Sequence, residues 1–211
     1  FLGKDVIRIN KLDDNLNNLK LTIENNDKIV ILGDNEQKKT LLLETIYERC
    51  EKINYGSTVK ISYLPKNNAD YFDTDLNMIK WLEQYSDNTD ETFIRGFLGK
   101  MLFSGEEALK KVRVLSGGEK VRLMLCKMML ERANVLILDE PTNHLDMESI
   151  TALNKALTNF NGVVIITTYD RQLIDTVCNR VVKLTDDKYI DAKMNYEDYL
   201  SKYEISTLNG N

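Results

Sequence analysis

Apolar positions along this chain follow two periods, and the switches between them mark the elements. Residues 6–9 and 19–23 are short runs that read as strands of an antiparallel edge. Residues 28–32 (KIVIL) are continuously apolar after the lysine and run into Gly33, as a strand buried on both faces does. From 39 to 52 the spacing becomes helical, with Leu41, Leu42, Leu43, Ile46 and Tyr47 on the inner side. Residues 59–64 return to strand and stop at Pro65. The stretch 67–92 is polar and acidic, with a helix predicted around 78–85. Amphipathic helices follow at 93–103 and 118–131, then the central apolar strand 135–138 and a helix at 148–157. Residues 163–168 (VVIITT) predict another buried strand, and 170–178 a helix. Strands at 181–184 and 189–191 precede a short helix from Tyr196. Alternating strands and helices predict an α/β fold, a mostly parallel sheet flanked by helices with an antiparallel edge. No internal repeat or low-complexity segment interrupts it.

The length of 211 residues suits one α/β domain with a sizeable core, and 43% hydrophobic residues exclude a disordered chain. A net charge of −5 argues against a broadly polyanion-binding surface, though not against a local basic patch. Cys50, Cys126 and Cys178 are odd in number and lack metal-ligand spacing, so they read as buried free thiols of a cytoplasmic protein. One histidine, His144, excludes a His-rich metal site. No run is apolar enough to span a bilayer and no secretory signal is present. Residue 1 is Phe rather than Met, which reads as a piece cut from a longer chain.

Two motifs carry chemistry. LSGGEK at 115–120 puts small residues and free backbone N–H groups at a helix start, a ready anion site. VLILDEPTNHLD at 135–146 is an apolar strand ending in adjacent carboxylates, Asp139 and Glu140. One could serve a metal and the other a water beside a phosphate. A third, weaker motif follows the KIVIL strand: Gly33-Asp34-Asn35-Glu36-Gln37-Lys38-Lys39-Thr40. Gly33, Lys39 and Thr40 fit the phosphate-loop pattern G-x-x-x-x-G-K-[ST], but Lys38 replaces its second glycine.

Together these motifs closely resemble the signature, Walker B/D-loop and Walker A sequences of ATP-binding cassette (ABC) ATPases. The spelling DEPTNHLD resembles that of the F subfamily, whose members carry two cassettes, have no membrane domain and act at the ribosome. RGFLGKMLFS at 95–104 and NYEDYL at 195–200, the usual ending of a second cassette, extend the resemblance over residues 6 to about 203. It implies a P-loop NTPase fold in which 1–66 and 133–203 form the ATP-binding core. Residues 67–132 would be the helical subdomain with the signature, and 204–211 a tail. It implies ATP and Mg²⁺ as ligands. Gly33, Asn35, Lys38, Lys39, Thr40 and Lys66 would line the nucleotide, with the Lys39 ammonium on the β/γ-phosphates. Thr40 and Asp139 would serve Mg²⁺, Glu140 would polarise the attacking water, and Tyr169 would stand at the switch position. Ser116, Gly117, Gly118 and Glu119 would face ATP held by a partner cassette paired head to tail, with Asp146 of the D-loop near that partner. His144 reads as a structural D-loop residue. The family further implies contact with the ribosome, its rRNA or tRNA.

Four departures fall on the chain's own nucleotide site. Glu36 and Lys38 replace loop glycines, each costing about 1–2 kcal/mol if a left-handed backbone were enforced. The Glu36 carboxylate beside a triphosphate adds on the order of 3 kcal/mol per like-charge pair at ~5 Å. A net loss of about 3–4 kcal/mol weakens binding roughly 100- to 1,000-fold. The Q-loop glutamine is Lys66, the switch histidine is Tyr169, and no aromatic residue lies between Ile9 and Ile23 to stack on adenine. These point to a second cassette with a degenerate site of its own and an intact signature. A fully competent ATPase, a non-hydrolysing docking cassette and the ATPase subunit of a transporter remain alternatives.

Overall fold

The computed structural model describes residues 3–204; the tail expected at 204–211 lies outside them except for Glu204. Among the described residues nine strands form two sheets. β1 (Asp5–Ile9), β2 (Leu21–Glu24) and β4 (Ile53–Tyr55) make a three-stranded antiparallel sheet in the order β2-β1-β4. The expected edge is thus a separate sheet. Its third strand, three residues long, is too short to show a period in sequence.

The main sheet has six strands. β3 is Lys28–Leu32, β5 Ile61–Leu64, β6 Val135–Asp139, β7 Val163–Thr167, β8 Arg180–Leu184 and β9 Tyr189–Ala192. Their order is β5-β6-β7-β3-β8-β9, parallel throughout except for the final antiparallel hairpin β8-β9. Both faces of the sheet are buried, as its continuous apolar runs require. On one face Val30, Leu64, Leu136, Leu138, Val164 and Ile166 pack against helices. On the other Ile29, Ile31, Val135, Ile137 and Ile165 pack with the three-stranded sheet and the first helix. A fully buried guanidinium ties the two sheets together: Arg180 bonds Asp27 and Asp191 at 2.8 Å each, and the Thr22 carbonyl at 2.8 Å. Two carboxylates face this one cation, so removing either leaves its charge still compensated by the other but strips a hydrogen-bond acceptor from a buried donor.

The first helix, α1 (Glu36–Tyr47), begins one turn earlier and ends earlier than the sequence pattern suggests. It buries Lys39, Leu42, Leu43 and Ile46, whereas Leu41 and Tyr47 are exposed. Three consecutive leucines sit 100° apart around a helix, so only two can face one core. α2 (Met78–Glu83), α3 (Glu91–Lys100) and α4 (Gly117–Leu130) pack on one another, with Trp81, Ile94, Leu98 and Met124 in their shared core. α5 (Met147–Thr158) and α6 (Arg171–Val177) pack together on the same side of the sheet, and α7 (Tyr196–Tyr199) closes the described chain with a π turn. Asp90, Ser116, Asp146 and Asp170 each accept a backbone N–H at the start of the helix they precede, which fixes where α3 to α6 begin. Cys126 and Cys178 are buried free thiols, while Cys50 is only half-buried, against the expectation for all three. No described helix is long and apolar enough to cross a membrane.

The parallel registers put the chemistry at one edge. Leu64 pairs with Leu138 and Leu138 with Ile166. Lys66, Glu140 and Thr168, each two residues further on, therefore emerge side by side at the carboxyl ends of their strands. The loop after β3 emerges there too. In open α/β sheets, ligands bind at that edge.

Candidate functional site

The loop after β3 opens with Gly33 at φ +149°, and a Cβ there would lie 2.5 Å from the Leu184 carbonyl oxygen. Both facts demand glycine. Among residues 33–40 Gly33 is the one with positive φ. Asn35 then caps α1, accepting the Lys38 N–H at 3.0 Å on its side chain and the Lys39 N–H at 3.2 Å on its carbonyl. Residues 36–40 are therefore the first turns of a helix rather than a glycine-lined loop. Glu, Gln and Lys are good helix formers, and an Asn before them is a strong start signal. The energetic cost expected for Glu36 and Lys38 in a left-handed loop does not arise, because the chain avoids that shape.

The side chains of this turn diverge. Lys38 points away from the strand edge, its ammonium bonding Asn17 Oδ1 at 2.8 Å and the Asp186 carbonyl at 2.8 Å. Its side chain, expected to line a nucleotide, here tethers α1 to two loops away from the strand edge. Glu36 turns inward. Its carboxylate receives the Lys39 ammonium at 3.1 Å, the Lys66 ammonium at 3.3 Å and a short hydrogen bond from the Tyr169 hydroxyl. The Tyr169 ring also lies under Lys39, 4.7 Å from its nitrogen. The cations and the hydroxyl expected to meet phosphate instead meet a carboxylate of the same chain.

Behind this cluster lies Asp139, buried, with Thr40 Oγ1 donating to one carboxylate oxygen and Thr167 Oγ1 to the other, each at 2.7 Å. The β6–β7 register sets Asp139 directly opposite Thr167. Thr167 also receives the Glu140 N–H, at 2.9 Å on its hydroxyl. Glu140 has φ +49° and is held by Asn143 at 2.7 Å. Lys66 lies 3.9 Å from both Asp139 and Glu140. Thr167 and Asn143 were not singled out in sequence. A threonine ending an apolar strand beside a strand that ends in a carboxylate was the available signal.

Electrostatics follow from these contacts. A hydrogen bond from Glu140, and then those from Tyr169 and Lys39, pull the Glu36 carboxyl down to about 2. The same shared bond raises Glu140, with burial adding to it. Burial disfavours the charge on Lys39, but Tyr169 and Glu36 outweigh it and raise its pKa.

The residues present do not fit a triphosphate in this arrangement. The Lys38 and Lys39 N–H groups are already bonded, and an anion already occupies Lys39, Lys66 and Tyr169. Thr40 and Asp139 are adjacent, as a hydroxyl and a carboxylate serving Mg²⁺ would be. Yet among the described residues no group of three His, Cys, Asp or Glu could hold a metal without other ligands.

The signature lies elsewhere, at the start of α4. Ser116 and Glu119 form a reciprocal capping box, Ser116 accepting the Glu119 N–H at 3.2 Å and Glu119 accepting the Ser116 N–H at 3.0 Å. Lys110 lies 3.6 Å from Glu119. Gly117 and Gly118 lie against His144: a Cβ on Gly118 would sit 2.5 Å from the His144 carbonyl oxygen. His144 thus packs the D-loop against the signature. Asp146, two residues on, caps α5 through Ser149. None of Ser116, Gly117, Gly118 or Asp146 contacts the Glu36 cluster, so the expected site residues form two separate groups.

Comparison with known proteins bears on the family and the fold. The family model described as ABC transporter matches residues 16–143. The chain is 45% identical over 97% of its length to the ABC transporter ATP-binding protein YkpA of Bacillus subtilis (strain 168), covering 40% of that protein. It is 33% identical over 95% of its length to ABC transporter F family member 5 of Arabidopsis thaliana, covering 30% of it. A solved RNase-L Inhibitor structure shares the fold, with a TM-score of 0.71 at 21% identity over 89% of this chain and 38% of that one. The chain spans well under half the length of these proteins.

Proposed function

The chain belongs to the ABC transporter family, and among its F-subfamily relatives we propose that it is the C-terminal cassette of a two-cassette protein whose own nucleotide site is degenerate. Domains of this family generally bind ATP with Mg²⁺ and hydrolyse it. In this reading the chain's contribution to turnover is its signature. The observation that carries it is the Glu36 carboxylate, which holds Lys39, Lys66 and Tyr169 in place of a phosphate. Ser116, Gly117 and Gly118, pre-set by the capping box and by His144, present a helix start to ATP bound on the other cassette. Asp146 would meet that cassette through the D-loop. Residues 67–132 act as the helical subdomain that carries the signature, and residues 1–66 and 133–203 as the core. Asp139 and Thr40 would serve Mg²⁺, and Glu140 a water, only if the Glu36 cluster opens.

Calorimetric titration of this chain with MgATP tests the reading, and weak or undetectable binding is expected. Micromolar affinity would overturn it. In the two-cassette protein, Ser116→Arg should abolish most ATPase activity, and unchanged turnover would show that the signature completes no site. The F-subfamily resemblance supports a reading in which the pair works in the cytoplasm on the ribosome, in contact with rRNA or tRNA. ATP-dependent co-sedimentation of the two-cassette protein with ribosomes is the corresponding measurement.

A further inference from the structure

A cavity lies between the end of α3, the second half of α4, β6 and α5, and none of the candidate site residues lines it. Its volume of about 900 Å³ falls in the range of small-ligand pockets. Its walls are mostly apolar side chains, Phe97, Met129, Leu136 and Phe160 among them, which an extended alkyl chain can cover. Gly99, Ala133, Ala152 and Ala156 leave the room. Met101, Met128 and Met129 line it with unbranched side chains that adapt to a flexible occupant.

The rim has the opposite sign to the protein. Lys100, Arg132 and Lys155 are exposed around the mouth, against one carboxylate, Glu148, in a chain of net charge −5. None of the three cations forms an ion pair among the described residues.

We infer that this groove binds a single-chain anionic amphiphile, its alkyl chain in the cavity and its carboxylate or phosphate head among Lys100, Arg132 and Lys155. The inference is independent of how the nucleotide site works. It is tested by titrating the protein with decanoate, below its micelle concentration, and with uncharged 1-decanol. One-to-one saturable binding of decanoate is expected. Arg132→Glu with Lys155→Glu should weaken decanoate about tenfold or more through reversed Coulomb attraction. Binding of 1-decanol should stay within about twofold, because it carries no charge to feel the reversal. Ala156→Phe should weaken both ligands by filling the cavity, and Ala152→Leu takes its place if that variant does not fold. The inference is overturned if decanoate shows no saturable binding, or if the charge reversal affects both ligands equally. It is also overturned if the filling variants change neither, or if the protein binds only phosphatidylglycerol vesicles and not the free anion.

Discussion

Replacing Glu36 by Gln removes one negative charge from the centre of the Lys39–Lys66–Tyr169 cluster while keeping the side chain's size. If that carboxylate stands in for phosphate, MgATP should bind this chain more tightly as a result. The size of the gain follows from Coulomb's law. A carboxylate about 5 Å from a γ-phosphate charge costs on the order of 3 kcal/mol at an effective dielectric of 20, and under about 1 kcal/mol in bulk water. The Glu36 side chain is 41% exposed, so the true value lies between these limits. A relief of about 1–2 kcal/mol corresponds to roughly 5- to 30-fold tighter binding. Release of Lys39 and Lys66 from their ion pairs acts in the same direction. The assay is calorimetric titration of the wild-type chain and of Glu36→Gln with MgATP. Lys38→Gly provides the contrast. It restores the glycine that the family motif expects, yet Lys38 lies in a helical turn and its ammonium contacts Asn17 and Asp186. That substitution should cost about 1 kcal/mol of stability and leave ATP affinity unchanged. If Lys38→Gly tightened ATP binding and Glu36→Gln did not, the site would be limited by loop shape and the charge argument would be wrong.

Three further outcomes follow from the same geometry. Gly33→Ala forces a side chain into the Leu184 carbonyl at positive φ, so it should lose about 2–4 kcal/mol in urea unfolding, and a loss under 0.5 kcal/mol, the size of an ordinary surface change, would contradict the contact. Thr167→Val keeps the volume but strips a donor from buried Asp139, which should cost about 1–3 kcal/mol, read from the denaturant midpoint at unchanged m-value. The Glu36 carboxyl, lowered from 4.5 to about 2, adds stability that is present above about pH 4.5 and is lost as pH falls through about 2. Glu140 is raised and acts in the reverse sense, so the comparison belongs in a Glu140→Gln background, where an amide still donates to Glu36. There, the stability gap between proteins with and without Glu36→Gln should shrink between pH 4.5 and pH 2, and a gap that widens in acid would refute the assigned ion pairs.

The sheet and the two long motifs were legible because each is continuous. KIVIL, VLILD and VVIIT fall on β3, β6 and β7 almost residue for residue. Ser116 and Asp146 announce their helices as caps. The start of α1 was not read correctly, because the glycine pattern of a phosphate loop was carried over to residues that lack the glycines. Asn35 followed by Glu, Gln and two lysines is an ordinary helix start, and the chain adopts it. Leu41, Tyr47 and the strand Ile53–Tyr55 were misjudged because a leucine run has no single face and three residues show no period. The substitutions of Glu36, Lys66 and Tyr169 were each visible in sequence. That they meet in one ion-paired cluster was not, since it depends on strand registers joining residues up to 133 positions apart.

The survival of Asp139 and Glu140 in such a site has a structural explanation. Asp139 joins α1 to β6 and β7 through Thr40 and Thr167, so its loss would leave the half-buried Thr40 hydroxyl and the buried Thr167 hydroxyl without this acceptor at the sheet edge. Glu140 is fixed at both ends, its backbone N–H bonding Thr167 and its side chain accepting from Asn143. The turn it opens leads directly to His144, whose carbonyl lies where a Cβ on Gly118 would collide. The Walker B residues and the signature are therefore mechanically continuous. A cassette can lose its own nucleotide and still need an intact DEPTNHLD segment to hold LSGGEK in shape for another. On this view Asp139→Ala in the two-cassette protein acts on the partner's turnover through the D-loop, and not through a metal of its own.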